Sequence, residues 1–147
     1  MNLERYTYFT TNDFQNYSFY SEGPKGRIKK TIVYSKIQED PIIYNLAFGD
    51  ENSFTGHIND KTISNNEDRN IVLATVANTI NAFCDRYGNH FIYATGSTLS
   101  RTRLYQMSIA GLWKEISLDF EVYGYRDGDW QQFRKNINYE AFLVKRK

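Results

Sequence analysis

The sequence predicts an α+β fold, with a mainly antiparallel sheet that carries two α-helices packed on one face. Apolar residues recur at helical spacing in two separate stretches, and short alternating segments lie before, between and after them. The aromatic fraction of 16% is typical of side chains that fill a pleated surface. Strands grouped on either side of the helices favour the α+β class. The length and the 41% hydrophobic content suit one domain over residues 1–147.

The first third of the chain predicts strands. Residues 4–20 alternate loosely around a turn-forming Thr-Thr-Asn-Asp at 10–13, which indicates two short strands. A Gly-Pro turn within 21–26 opens a third strand. Residues 42–48 are apolar on both faces, so we expect a central strand there, ended by Gly-Asp at 49–50.

The third strand begins with the densest basic cluster of the chain, Lys25, Arg27, Lys29 and Lys30. Lysines on a solvated edge strand discourage aggregation between sheets, and this is the simpler interpretation. The alternative is a basic patch, Lys25, Arg27 and Lys29, that faces an anion.

The segment that follows the central strand is polar and rich in Asn, Asp and Gly. Its neighbourhood contains a set of metal-type side chains: Asp50, Glu51, His57 and Asp60. Their spacing matches neither a calcium loop nor a zinc helix. We therefore expect neither a metal ion nor an organic cofactor.

The first helix is predicted between an Asn cap at 65 or 66 and a Gly-Asn stop at 88–89. Glu67 and Asp68 suit its N-terminal dipole. Five apolar residues recur at helical spacing: Val72, Val76, Ile80, Phe83 and Tyr87. Cys84, the one cysteine, lies on this helix and is interpreted as a core residue rather than a nucleophile.

A strand at 90–95 leads into a second helix, predicted from Thr98 to Ile116. Its apolar face contains Tyr105, Ile109, Leu112 and Ile116. The rest of the chain predicts strands again: alternation over 118–123, a hairpin turn at Asp127-Gly128, and a last strand over 139–144.

The junction before the second helix is the candidate site. Gly96, Ser97 and Thr98 place backbone N–H groups, hydroxyls and a helix N-terminus at one point, which favours phosphate or another anion. Arg101 and Arg103 stand where a helix dipole prefers acids. Since residues two apart on a helix diverge by about 200°, we expect Arg101 to reach the anion and Arg103 to pair with a carboxylate. The alternative is that Ser97 and Thr98 are ordinary caps and that both arginines form ion pairs or extend over aromatic rings.

Enzyme motifs such as a nucleophile elbow or a zinc-binding His-Glu-x-x-His are missing from the sequence, so the catalytic residues stay unknown. A metal-independent ribonuclease could use four residues to hold and stabilise a phosphate: Tyr93, Arg101, Arg103 and Tyr105. We rank binding above catalysis because no acid–base pair can be identified.

The formal charge of +1, from 18 basic and 17 acidic side chains, means that any electrostatic site must be local. The N-terminus does not have the pattern of a leader peptide, and no stretch approaches the ~20 apolar residues that span a bilayer. We expect a cytoplasmic protein that does not contact membranes.

Four segments carry a resemblance to a known family: Tyr44-Asn-Leu-Ala-Phe-Gly-Asp50, Asn66-Glu-Asp-Arg-Asn-Ile-Val-Leu-Ala-Thr-Val-Ala77, Gly96-Ser-Thr-Leu-Ser-Arg-Thr-Arg-Leu-Tyr-Gln-Met107 and Tyr139-Glu-Ala-Phe-Leu-Val-Lys-Arg-Lys147. The chain resembles a family of small bacterial proteins with a domain of unknown function. The resemblance implies no activity, although such proteins are often components of defence or toxin–antitoxin systems.

Two functions follow as hypotheses. One is a phosphate, nucleotide or RNA-binding domain with its anion site at the strand-turn-helix junction. The other is a protein-interaction module, binding a protein partner or forming a homodimer, in which exposed tyrosines and arginines form the contact.

Overall fold

The computed structural model describes residues 3–51, 58–59 and 67–147. These residues form nine strands, all in one sheet, and three helices. The strands are β1 (Tyr8–Thr11), β2 (Asn16–Gly23), β3 (Gly26–Glu39), β4 (Ile42–Glu51), β5 (Ile58–Asn59), β6 (Phe91–Ala94), β7 (Phe120–Arg126), β8 (Asp129–Gln132) and β9 (Ala141–Arg146). The helices are α1 (Arg69–Tyr87), α2 (Leu99–Gly111) and α3 (Trp113–Asp119). The α+β class is confirmed.

The strand order is β1-β2-β3-β4-β6-β9-β7-β8, and the short β5 pairs with the end of β4. Every described pair is antiparallel except β4 with β6. A parallel pair needs a long crossover connection, and α1 lies within the one between β4 and β6. The C-terminal strand β9 lies inside the sheet, between β6 and β7.

The helices cover one face of the sheet, called here the helix face. Phe83 of α1 is fully buried and stacks on Tyr34 of β3 and on Tyr87, with centroid distances of 4.3 and 4.6 Å. Ile109 of α2 and Ile116 of α3 belong to the same core cluster. Cys84 is buried there too, as predicted, and burial raises the pKa of its thiol.

The prediction of one continuous helix from Thr98 to Ile116 is wrong, because the chain leaves helical geometry at Leu112 (φ −113°, ψ 19°). The Leu112 N–H donates to several preceding carbonyls and closes α2, and α3 begins at Trp113. Its seven residues extend to Asp119, so Leu118 is helical rather than part of the predicted strand.

Other boundaries differ as well. The central position of β4 is confirmed, but the strand continues through Gly49 and Asp50, because cross-strand pairs with β3 extend to Lys30. Helix α1 begins after Asp68, whose side chain forms no capping hydrogen bond, and its first turn contains no acid. The predicted caps at 65 and 66 lie outside the described residues.

Two predicted stops are confirmed. Gly88 has a φ of 98° and ends α1, with its N–H donating to the Cys84 carbonyl. Asp127 and Gly128 both have positive φ, 52° and 77°, the geometry of a tight two-residue hairpin between β7 and β8.

Candidate functional site

The turn between β6 and α2 is folded back onto the first turn of the helix. The Gly96 N–H donates to Thr102 Oγ1 at 3.0 Å, and Thr102 Oγ1 donates to the Thr98 carbonyl at 3.1 Å. A Cβ at Gly96 would lie 2.6 Å from the Thr102 backbone nitrogen and 2.7 Å from the Arg101 Cβ. Only glycine fits this approach, and its N–H is used within the fold.

Thr98 is the N-cap of α2. Its backbone is extended, and its Oγ1 accepts a hydrogen bond from the Arg101 N–H at 3.3 Å. For Thr98 the structure therefore agrees with the simpler interpretation of an ordinary cap. The first turn of the helix has no acidic residue to offset its dipole.

Arg101 is the unusual residue of the site, since its side chain is only 6% exposed. Its Nη1 donates to Ser97 Oγ at 3.1 Å, and none of the described carboxylates forms an ion pair with it. A guanidinium has five N–H donors, so one neutral acceptor leaves most of them unused. No Arg101 nitrogen is among the described side-chain atoms that are fully buried without a partner. An anion at this point would supply the countercharge that the described carboxylates do not.

Arg103 lies elsewhere. It is exposed, and no described carboxylate pairs with it, so the predicted ion pair is not found among the described residues. Leu99 and Met107, one turn before and after it, are 75% and 46% exposed. The two arginines thus diverge, as their spacing predicts.

The basic patch is not brought to the turn. Arg27 and Lys29 alternate along β3 with the buried Lys30, so they lie on the sheet face opposite the helices. Lys29 pairs with Glu51 at 2.8 Å, and Arg27 lies 3.9 Å from Glu22 and 3.9 Å above the Tyr20 ring. Lys25 is exposed in the turn before β3. The edge-strand interpretation is wrong as well, because β3 lies between β2 and β4.

A pocket of about 400 Å³ adjoins the turn. Its walls include Asn45, Ala47, Phe48, Gly96, Ser97 and Tyr105. The pocket gives a ligand room beside Ser97, the residue that contacts Arg101.

The sheet face opposite the helices carries a cluster of rings that sequence reasoning missed, called here the aromatic face: Phe91, Tyr93, Tyr123, Tyr125 and Trp130. Trp130 lies 5.1 Å from Tyr125 and 6.3 Å from Tyr93, and Phe91 lies 6.4 Å from Tyr123. Lys145 Nζ lies 5.1 Å from the centre of the Phe91 ring. The alternation of aromatic residues in β6 and β7 is visible in the sequence. The sequence does not show that β9 pairs with both strands and brings their rings onto one surface.

The residues considered for a ribonuclease are not brought together. Tyr93 contacts Trp130 on the aromatic face, whereas Arg101, Arg103 and Tyr105 belong to α2 on the helix face. Within the ranges that the structure covers, no three His, Cys, Asp or Glu side chains are placed to hold a metal ion. His57 and Asp60 lie outside those ranges.

The fold and the site define a helix-backed α+β sheet domain with a buried arginine at a strand-turn-helix junction. The chain belongs to a family of unknown function, DUF6934, which matches residues 2–147. The resemblance to an uncharacterised family is therefore confirmed. Neither a curated protein nor a solved structure matches the chain. No helix in the described ranges has the length and apolar content that crossing a membrane requires.

Proposed function

We propose that this domain binds phosphate-bearing ligands, with single-stranded RNA as the preferred class and a nucleotide as its minimal form. The observation that carries the proposal is the buried Arg101 guanidinium, whose one acceptor among the described residues is the neutral Ser97 hydroxyl. The Ser97–Arg101 pair at the start of α2 is the anion site, and Gly96 and Thr98 fix its shape.

A phosphate suits this position for two reasons. Its oxygens accept charge-assisted hydrogen bonds from a guanidinium, which are about twice as strong as neutral ones. The first N–H groups of a helix have no intrahelical acceptor and point outward from its N-terminus, so the start of α2 offers further donors.

The aromatic face favours RNA over free phosphate. Tyr93 precedes Gly96 by three residues and is paired with Asn45, which lines the pocket beside the turn. A strand of RNA that places a phosphate near Arg101 can continue past Tyr93 and stack bases on Tyr125 and Trp130. Each stacked base contributes about 1–3 kcal/mol, with little dependence on sequence.

A second function is favoured by a different observation. Leu99, Arg103 and Met107 form an exposed stripe at i, i+4 and i+8 on α2, and apolar residues with an arginine are typical of protein contacts. In this alternative the domain is a protein-interaction module or a homodimer. It predicts a defined oligomer that Met107→Asp dissociates, measured by light scattering after gel filtration.

The test is a titration of the full chain with inorganic phosphate, a mononucleotide and a short single-stranded RNA, at two salt concentrations. The matched variants are Arg101→Gln and Arg103→Gln, two arginines of the same helix that differ in burial. Arg101→Gln should abolish binding, whereas Arg103→Gln should retain it, and RNA binding should weaken with salt. Equal effects of the two substitutions, or no binding by a folded wild-type protein, overturn the proposal.

A further inference from the structure

A cavity of about 730 Å³ lies between α1, α2 and the helix face of the sheet. This volume is within the range of about 300–1,000 Å³ that is typical of small-molecule sites. Aliphatic and aromatic side chains form most of its walls, among them Val76, Ile80, Ile92, Leu104, Ile109 and Phe142. The cavity lies on the helix face and shares Leu46, Phe48 and Tyr105 with the pocket beside the turn. Neither Ser97 nor Arg101 lines it, so the inference does not require the proposed anion site.

The cavity has a polar end, where Asp68 precedes α1. Asp68 is only 9% exposed, and its Oδ2 accepts hydrogen bonds from the Tyr6 hydroxyl at 2.6 Å and from the Ser21 hydroxyl. The described residues give its Oδ1 no donor. Ser108, from α2, is buried and lines the wall.

Among the described charged residues at this end of the cavity, Asp68 is the one whose charge is not offset by a neighbour of opposite charge. Lys30 also lines the cavity, but its Nζ lies 2.5 Å from Asp50 Oδ1, and this ion pair neutralises it. Glu67 and Arg69 are both exposed at the same end and carry opposite charges. A ligand that enters here meets an apolar wall and one carboxylate held by two neutral hydroxyl donors.

We infer that the cavity binds a small amphiphile with an apolar body and a cationic head, such as an aliphatic amine. The head donates a charge-assisted hydrogen bond to Asp68 Oδ1, and the body fills the space between α1 and α2. An anionic head is disfavoured because it would face the buried carboxylate at close range.

The probes are octylammonium, octanol and octanoate, which share one chain length and differ in head group. Each is titrated into the full chain below its micelle-forming concentration, with isothermal calorimetry and thermal unfolding as readouts. Octylammonium should bind at least about tenfold more tightly than octanoate, since opposite charges in a buried site favour the pair. Octanol should fall between them.

Asp68→Asn should remove the preference for the ammonium head while octanol still binds, because the apolar walls are unchanged. Glu67→Gln is the matched control, and it should leave the preference intact. Val76→Phe narrows the cavity while Asp68 stays in place, so it should weaken the binding of all three probes. This variant keeps the test decisive if Asp68→Asn does not fold. The inference is overturned if octanoate binds as tightly as octylammonium, if no probe binds, or if Val76→Phe changes nothing.

Discussion

Arg101→Met tests the anion site through stability rather than through binding. The substitution removes the guanidinium and keeps a flexible stem of similar length beside Gly96. Replacing buried charges by apolar side chains of similar volume is often neutral or stabilising, by about 1–4 kcal/mol. The lost hydrogen bond to Ser97 Oγ opposes this by about 1.5–3 kcal/mol, the range for bonds that involve a charge. Without anions, the variant should therefore lie between about 2 kcal/mol less stable and about 2.5 kcal/mol more stable than the wild type.

With a bound anion, the wild type should become more stable than Arg101→Met. A ligand at a hundred times its Kd stabilises the native state by about 2.7 kcal/mol, and only the wild type retains the site. Urea unfolding of both proteins, with and without inorganic phosphate or a mononucleotide, measures the two differences. Arg103→Met is the control, because Arg103 is exposed on the same helix. A loss of more than about 3 kcal/mol by Arg101→Met in anion-free buffer, with no anion stabilising the wild type, would show that the fold itself satisfies Arg101.

Three further outcomes are expected. Gly124→Ala should cost about 1–3 kcal/mol in urea unfolding, because its Cβ would lie 2.3 Å from the Tyr139 ring, and an unchanged midpoint contradicts this packing. Tyr17→Phe should leave the stability unchanged or raise it, since the buried Tyr17 hydroxyl has no hydrogen-bond partner in the described part of the chain. Tyr34→Phe should lower the stability by about 1 kcal/mol, because it removes the hydrogen bond to Thr79 at 2.9 Å. Burial raises the pKa of Tyr17 from 10.0 to about 12, so the native state keeps a proton that the unfolded chain releases between these values. The contribution of Tyr17 to the free energy of unfolding should be complete below about pH 10 and should fall above it, by up to about 1.4 kcal/mol per pH unit. The fall should be less steep in Tyr17→Phe. A free energy of unfolding that stays constant at alkaline pH in the wild type would contradict this prediction.

Part of the candidate site could be predicted from the sequence because it depends on neighbours along the chain. Gly96, Ser97 and Thr98 form the turn and the cap that their residue types favour. The divergence of Arg101 from Arg103 follows from helix periodicity. The burial of Arg101 could not be predicted, since it depends on the elements packed around α2.

The aromatic face and the cavity depend on contacts between distant segments. Trp130 comes from a hairpin far along the chain from Tyr93, and the two meet because β9 pairs with both β6 and β7. For the basic cluster, the local pattern in β3 predicted an anion site that the tertiary structure does not favour. Pairing of β3 with β4 places Glu51 beside Lys29, so this lysine forms an ion pair within the sheet.

Local patterns along the chain were enough to predict the α+β class, the positions of both helical stretches, the Asp127-Gly128 hairpin and the burial of Cys84. Each follows from short-range rules: periodicity fixes which side chains share a face, and turn residues fix where an element ends. The tertiary structure alone decided the strand order, the break at Leu112 and the isolation of the Arg101 guanidinium from described carboxylates. These depend on which surfaces meet when the chain closes over long distances, and no local pattern encodes that choice.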